Sequence, residues 1–231
     1  MATSRGLSPT ELTIVNFHGI GQPARELEPG EGPFWLSRDQ FCSILDRIVA
    51  HPERHRFAIT FDDSNSSDLA IAVPELQKRK LVGTFFVLTG RFGSSGSLDQ
   101  SDVQAIATSG MIIGSHGIDH RDMTRLSSVE LDKELTQSRA VLESVQGKPV
   151  SVFSIPFGRY NAGVLRGIRK AGYTGAYTSD GGGTYMHDFL RPRRSMRQDM
   201  SISGIDQLLS GTAPLLTRLR RAAAKTAKQL L

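Results

Sequence analysis

Phe57-Ala58-Ile59-Thr60-Phe61-Asp62-Asp63 is an apolar run closed by two adjacent carboxylates. Its length and its aromatic and β-branched content predict a strand covered on both faces. That puts Asp62 and Asp63 at the strand's C-terminal edge, where parallel α/β folds assemble their sites. Two carboxylates near one point repel unless a cation neutralises them. Further on, Met111-Ile112-Ile113 leads into Ser115-His116-Gly117-Ile118-Asp119-His120, a second strand end, this time carrying imidazoles. A spacing of four predicts both rings on one side of a helical turn, with Gly114 and Gly117 allowing a tight bend. Taken alone, the Asp pair reads equally well as a solvated turn, and the histidines as two unrelated loop residues. Together they match a different need: one carboxylate and two imidazoles can hold a zinc-like ion with a position left open, and the spare carboxylate can handle protons. Metal-assisted hydrolysis is the expectation.

Working outward, similar short runs recur at 12–17, 84–88, 111–113, 151–155 and 175–178. Helical patterns lie between most of them. Ser37-Arg38-Asp39-Gln40 reads as a capping box before the stripe Phe41, Ile44, Leu45 and Ile48. Ser127 with Glu130 opens a second helix that Gly147 closes, and Asn161 caps a third. Pro74 predicts a kink or a late start near Val73. Such alternation predicts a parallel sheet, open or closed into a barrel. One domain over residues 1–203 is expected, followed by a helical tail over 204–231.

These segments resemble the NodB-like polysaccharide deacetylases, a carbohydrate esterase family. Thr60-Phe61-Asp62-Asp63 is similar to the family's first motif, and Ser115 to His120 to its second. Phe153-Ser154-Ile155-Pro156-Phe157-Gly158 resembles the third, and Asn16-Phe17-His18-Gly19 the opening strand. The resemblance implies a distorted (β/α) barrel of about seven strands. It implies Asp62 as general base and Asp63, His116 and His120 as ligands of a divalent metal, zinc first, with cobalt, nickel or manganese as substitutes. The backbone N–H of Phe157 is implied as an oxyanion donor, with Pro156 and Phe157 as an apolar wall for a sugar ring.

Three departures stand out. Ser64 replaces a usual Gly, Ser154 replaces the third-motif Arg that orients the catalytic Asp, and the late Leu-x-His motif has no match. Thr178-Ser179-Asp180 resembles the fourth motif, which supports that missing His. Arg191 or Arg193, paired with Asp180, is the expected substitute orienter, with Asp62 shuttling the proton in both directions. An arginine stabilises charge but does not release protons near neutrality. His187 and His18 are candidates of lower rank, one from a loop and one after the first strand.

The remaining composition bounds partners. The 231 residues are 39% hydrophobic and 22% charged, with net charge +5. Arg218, Arg220, Arg221, Lys225 and Lys228 account for that excess; the rest carries 23 basic and 23 acidic residues. A nucleic-acid surface is therefore not expected. Leu215, Leu216, Leu219, Ala223, Thr226 and Leu230 recur at helical spacing, which predicts either docking on the barrel or a basic amphipathic helix at an anionic membrane surface. No apolar leader is visible at Met1 to Gly6, so a cytoplasmic protein, membrane-associated at the inner face, is expected. Cys42 reads as a small core residue, and the sequence does not set an oligomeric state. The expected substrate is an acetylated glycan. A deformylase or deacylase of a lipid-linked sugar needs the same site, and a catalytically impaired carbohydrate-binding protein is the non-enzymatic alternative.

Overall fold

The computed structural model describes residues 11–185, 187–210, 223 and 226–229. Ten strands follow in chain order: β1 (Thr13–Phe17), β2 (Gly19–Ile20), β3 (Trp35–Leu36), β4 (Phe57–Phe61), β5 (Gly83–Val87), β6 (Ile112–Ser115), β7 (Val152–Ser154), β8 (Gly175–Thr178), β9 (Leu190–Pro192) and β10 (Arg194–Ser195). Eight of them form one sheet in the order β10-β1-β4-β5-β6-β7-β8-β9, and every pairing in it is parallel. β9 and β10 lie on opposite edges, yet only Arg193 separates them. The chain therefore crosses from one edge to the other within a residue and closes the ring. The eight strands fill seven places, which is the distorted barrel that the resemblance implies.

Among the described residues, six helices pack around the barrel: α1 (Arg38–Ala50), α2 (Val73–Lys78), α3 (Gln100–Thr108), α4 (Ser128–Gln146), α5 (Ala162–Lys170) and α6 (Ile202–Leu209). Ser37 and Ser127 form the expected capping boxes, Asn161 caps α5, and Gly147 ends α4 in the left-handed region. Ahead of α2, residues Asp68–Ala72 form a π-helical turn, and Pro74 takes an early helical position where its missing N–H costs nothing. α6 crosses the expected boundary at residues 203 and 204, and its Ile205 and Leu209 join the main core. Of the tail's stripe and cations, only Ala223, Thr226 and Lys228 fall within the described residues; the others lie outside them. Lys228 rests on the body: its Nζ donates to Asp180 Oδ1 at 2.6 Å and lies 5.0 Å from the Tyr160 ring.

Strand alternation divides the side chains between two cores. Outward residues such as Val15, Ile59, Phe85 and Phe153 pack under the helices, with Phe17, Phe61 and Phe85 stacked in sequence at 5.5 and 4.4 Å. Inward residues Ile14, Phe86, Val152 and Tyr177 form a separate apolar floor. Gly114 belongs to this inner layer, where a Cβ would come within 2.5 Å of Phe86. Its role is to admit that ring, not to bend the chain. Above the floor, towards the strands' C-terminal ends, the buried inward side chains turn polar: Asn16, Thr60, Asp62 and Ser154.

Candidate metal centre

Asp63 and the two histidines meet at this polar end. The Nε2 atoms of His116 and His120 lie 3.4 and 3.5 Å from Asp63 Oδ1, and one ligand atom from each residue falls within 4.8 Å of the others. Asp63 Oδ1 is buried and has no hydrogen-bond partner among the described residues. A buried anionic oxygen faced by two imidazole nitrogens is a donor set that suits a divalent cation, and the three residues fit one. His116 Nδ1 lies 2.8 Å from the Ser154 carbonyl, which fixes the ring so that Nε2 faces inward.

The loop bearing His120 is not the expected helical turn. Gly117 has φ 92° and His120 φ 52°, and two left-handed residues break a helix. Instead, the buried Glu134 of α4 accepts the Ile118 N–H at 2.6 Å and holds the bend. Asp63, Ser64 and Phe157 are also left-handed, so among the described residues four of the five non-glycines with positive φ cluster here. Backbone strain of this kind persists only where the surroundings fix it. At Ser64 the side chain offsets the loss of Gly, its Oγ accepting the Leu88 N–H at 2.7 Å.

Asp62 points the other way, into the barrel. Arg193 grips it twice, Nη1 to Oδ1 at 2.8 Å and Nη2 to Oδ2 at 2.7 Å. Asn16 Nδ2 and Ser154 Oγ donate to Oδ2 at 3.1 and 3.2 Å. The guanidinium lies over the floor, 5.2 Å from Phe86 and 5.8 Å from Tyr177. Ser154 thus stands where the usual arginine is absent, and Arg193 reaches the same carboxylate from the seam, accepted by Ser154 Oγ at 2.7 Å. Burial pushes the Asp62 carboxyl up, but Arg193 and then His116 pull it further down, to about 2. Burial likewise raises Asp63, and the surrounding imidazoles, His116 foremost, outweigh it and hold that group well below the usual range. Burial first, then the negative charges of Asp63 and Asp62, raise the Asp68 carboxyl well above the usual value.

The other expected residues are placed as follows. Asp180 does not meet either arginine; it accepts from Tyr160 Oη at 2.7 Å, Thr178 Oγ1 at 2.9 Å and Lys228. Arg191 turns away, to Tyr177 Oη at 2.9 Å and the Asp188 carbonyl at 2.8 Å. The expected arginine–Asp180 pair is thus replaced by two others: two residues apart, both arginines face Tyr177, but Arg191 lies beside Gly175 at the start of β8 while Arg193 stands level with Asp62. Pro156 is buried and does not line the cavity; of that pair only Phe157, half exposed, does, its ring 4.3 Å from His120. His187 is exposed beside Tyr185.

A cavity of about 330 Å³ opens over these groups, lined by Asp62, Asp63, His116, His120, Phe157 and Arg193. Two further residues line it, one a lower-ranked candidate of the sequence and one not singled out there. His18 enters the cavity with a buried, unpartnered Nδ1, its ring 5.0 Å from Phe34; its position directly after β1 was the available signal. Glu28 comes from the polar loop before β3, which carries no periodic signal at all.

The polysaccharide deacetylase family model matches residues 50–176, and the chain belongs to that family. It is 24% identical over 209 residues to a putative polysaccharide deacetylase, YxkH, of Bacillus subtilis, covering 85% of this chain and 74% of that one. It is 28% identical over 147 residues to the peptidoglycan-N-acetylmuramic acid deacetylase PdaA of the same organism, covering 61% of this chain but only 54% of the relative. The fold matches that of the Streptococcus pyogenes deacetylase PplD, solved with acetate, at TM-score 0.74 and 22% identity, over 90% of this chain and all of that one.

Proposed function

We propose that this protein is a metal-dependent hydrolase that removes acetyl groups from an acetylated glycan. The observation that carries the reading is the convergence of Asp63, His116 and His120 beside an ionised, arginine-clamped Asp62 at one cavity. A divalent cation at the Asp-His-His set supplies Lewis-acid polarisation of the acetyl carbonyl and lowers the pKa of water from near 16 towards about 7. Asp62 is the base. Arg193 keeps it charged and aimed, at the cost of basicity. The Phe157 N–H is the oxyanion donor, a contact typically worth about 3 kcal/mol in the transition state. Phe157 offers the ring face for a sugar.

His18 is the proton donor to the leaving group in this proposal. It is an imidazole that lines the cavity outside the metal cluster, directly after the strand that pairs with the one bearing Asp62. This relieves Asp62 of acting in both directions. The nature of the leaving group tests it. His18→Gln should lower amide deacetylation about 100-fold or more, yet leave cleavage of p-nitrophenyl acetate, whose leaving group needs no proton, nearly unchanged. An equal loss on both substrates would remove His18 from this role.

Acetate release from N-acetylated chitooligosaccharides and from O-acetylated glycan, measured with the metal content, tests the function itself. Release that is abolished in Asp62→Asn supports it. A metal-loaded protein that releases formate but no acetate supports the deformylase reading instead, and one that binds glycan without release supports a binding protein.

A further inference from the structure

The two histidines of the candidate metal centre are held in different ways. His116 is fixed by the barrel itself, through the Ser154 carbonyl at the end of β7. His120 Nδ1 faces no barrel group in hydrogen-bond reach; its partner is Glu28 Oε2, at 3.2 Å, from the loop between β2 and β3. The other oxygen of Glu28 pairs with Arg91, and Arg91 Nη1 donates back to the Asp63 carbonyl at 3.2 Å. Contacts therefore run from His120 to Asp63 by way of the loop: His120, Glu28, Arg91, Asp63.

The loop has its own bracing. Glu31 accepts the Glu28 N–H at 2.9 Å and pairs with Arg25, whose Nε donates to Asn65 Oδ1 at 2.9 Å, two residues beyond Asp63. Glu28, Pro29, Gly30 and Glu31 then form one side of the cavity. A carboxylate accepting the distal N–H of a metal-bound imidazole orients the ring and strengthens it as a ligand. Here that carboxylate is not part of the scaffold.

We propose that Glu28 is a positioning residue for the metal centre, and that it makes residues 21–31 a cavity wall whose closure is coupled to metal occupancy. The proposal rests on reading Asp63, His116 and His120 as metal ligands. By linkage, a loop that tightens metal binding is itself tightened by the metal. Zinc should hold the wall shut, and its removal should release it.

The test uses zinc alone on the full chain. Affinity is measured by competition with a chromophoric chelator, and hydrogen exchange over residues 21–31 is followed with and without zinc. Glu28→Ala should weaken zinc 10- to 100-fold and abolish the zinc-dependent protection of the loop. Glu28→Gln, which can still accept the ring N–H, should fall between. Glu26→Gln, an exposed site on the same loop, should match wild type. An unchanged melting temperature of the metal-free variants separates this role from general damage. If wild type binds zinc and Glu28→Ala binds it equally well, or if zinc leaves the loop's exchange unaltered in wild type, the coupling is overturned. If wild type binds no zinc at all, it is the metal reading beneath it that has failed.

Discussion

Two groups of buried side chains meet at the mouth of this barrel, and they are assembled on different plans. Asp63, His116 and His120 sit on turns directly after β4 and β6, where left-handed backbone at Asp63 and His120 sets the bends and Ser154 and Glu28 hold the two rings. Asp62 is one residue away from Asp63, but its partners Asn16, Ser154 and Arg193 come from β1, β7 and the seam, 46, 92 and 131 residues distant in sequence. The turns that carry the first group are specified by two short motifs. The long-range group exists only when the ring is complete.

The widest contrast should appear between the adjacent carboxylates. Asp63→Asn should lose bound metal and all detectable turnover. Asp62→Asn should keep its metal and still lose about 100- to 10,000-fold in kcat, as measured by metal content alongside acetate release. If both variants lose metal equally, the division between the two groups is false.

Arg193 comes next. Its removal leaves a buried carboxylate without a counter-charge, which typically costs about 3–5 kcal/mol, so Arg193→Ala should show a large drop in denaturant midpoint as well as reduced turnover with metal retained. Lys at this place should not restore activity, because one ammonium cannot span both oxygens of Asp62. Near-normal turnover in Arg193→Ala would detach the arginine from the proton-handling group.

The smallest of these effects is in the pH dependence of stability of the metal-free protein. Asp62 titrates at about 2 in the folded chain, below its ordinary value of 3.8. A depressed folded pKa contributes stability that is complete above the unfolded value and disappears as pH falls through the folded one. The gap corresponds to about 2 kcal/mol. Wild type should lose that increment between about pH 4 and pH 2, and Asp62→Asn should not; parallel acid titrations would show no divergence if the pair contributes nothing.

The same contrast explains what could be read from the chain in advance. Capping boxes at Ser37 and Ser127, the helix stop at Gly147 and the strand ends at Asp62–Asp63 depend on residues close in sequence, and all are visible there. β9 and β10 are not: they are three and two residues long, broken by Pro192 and loaded with arginine, so they carry no strand pattern. Arg193 could be named as a candidate but not told from Arg191, since the two share a face and only the register at the seam decides which stands level with Asp62. α3 buries just Val103 and Ile106, too short a stripe to stand out. Glu28 lies in a loop whose polar composition looks like that of any surface segment.

The crossing at residue 193 has one more consequence. Thr178 pairs with Pro192 on one flank and Val15 with Arg194 on the other, so the guanidinium is clasped between the first and last staves of the ring. Inserting a single residue after Pro192 would shift everything beyond it by half a pleat and swing this side chain out among the helices. Completing the circle and arming the inner carboxylate are one structural event, and an incomplete circle leaves that acid without its cation.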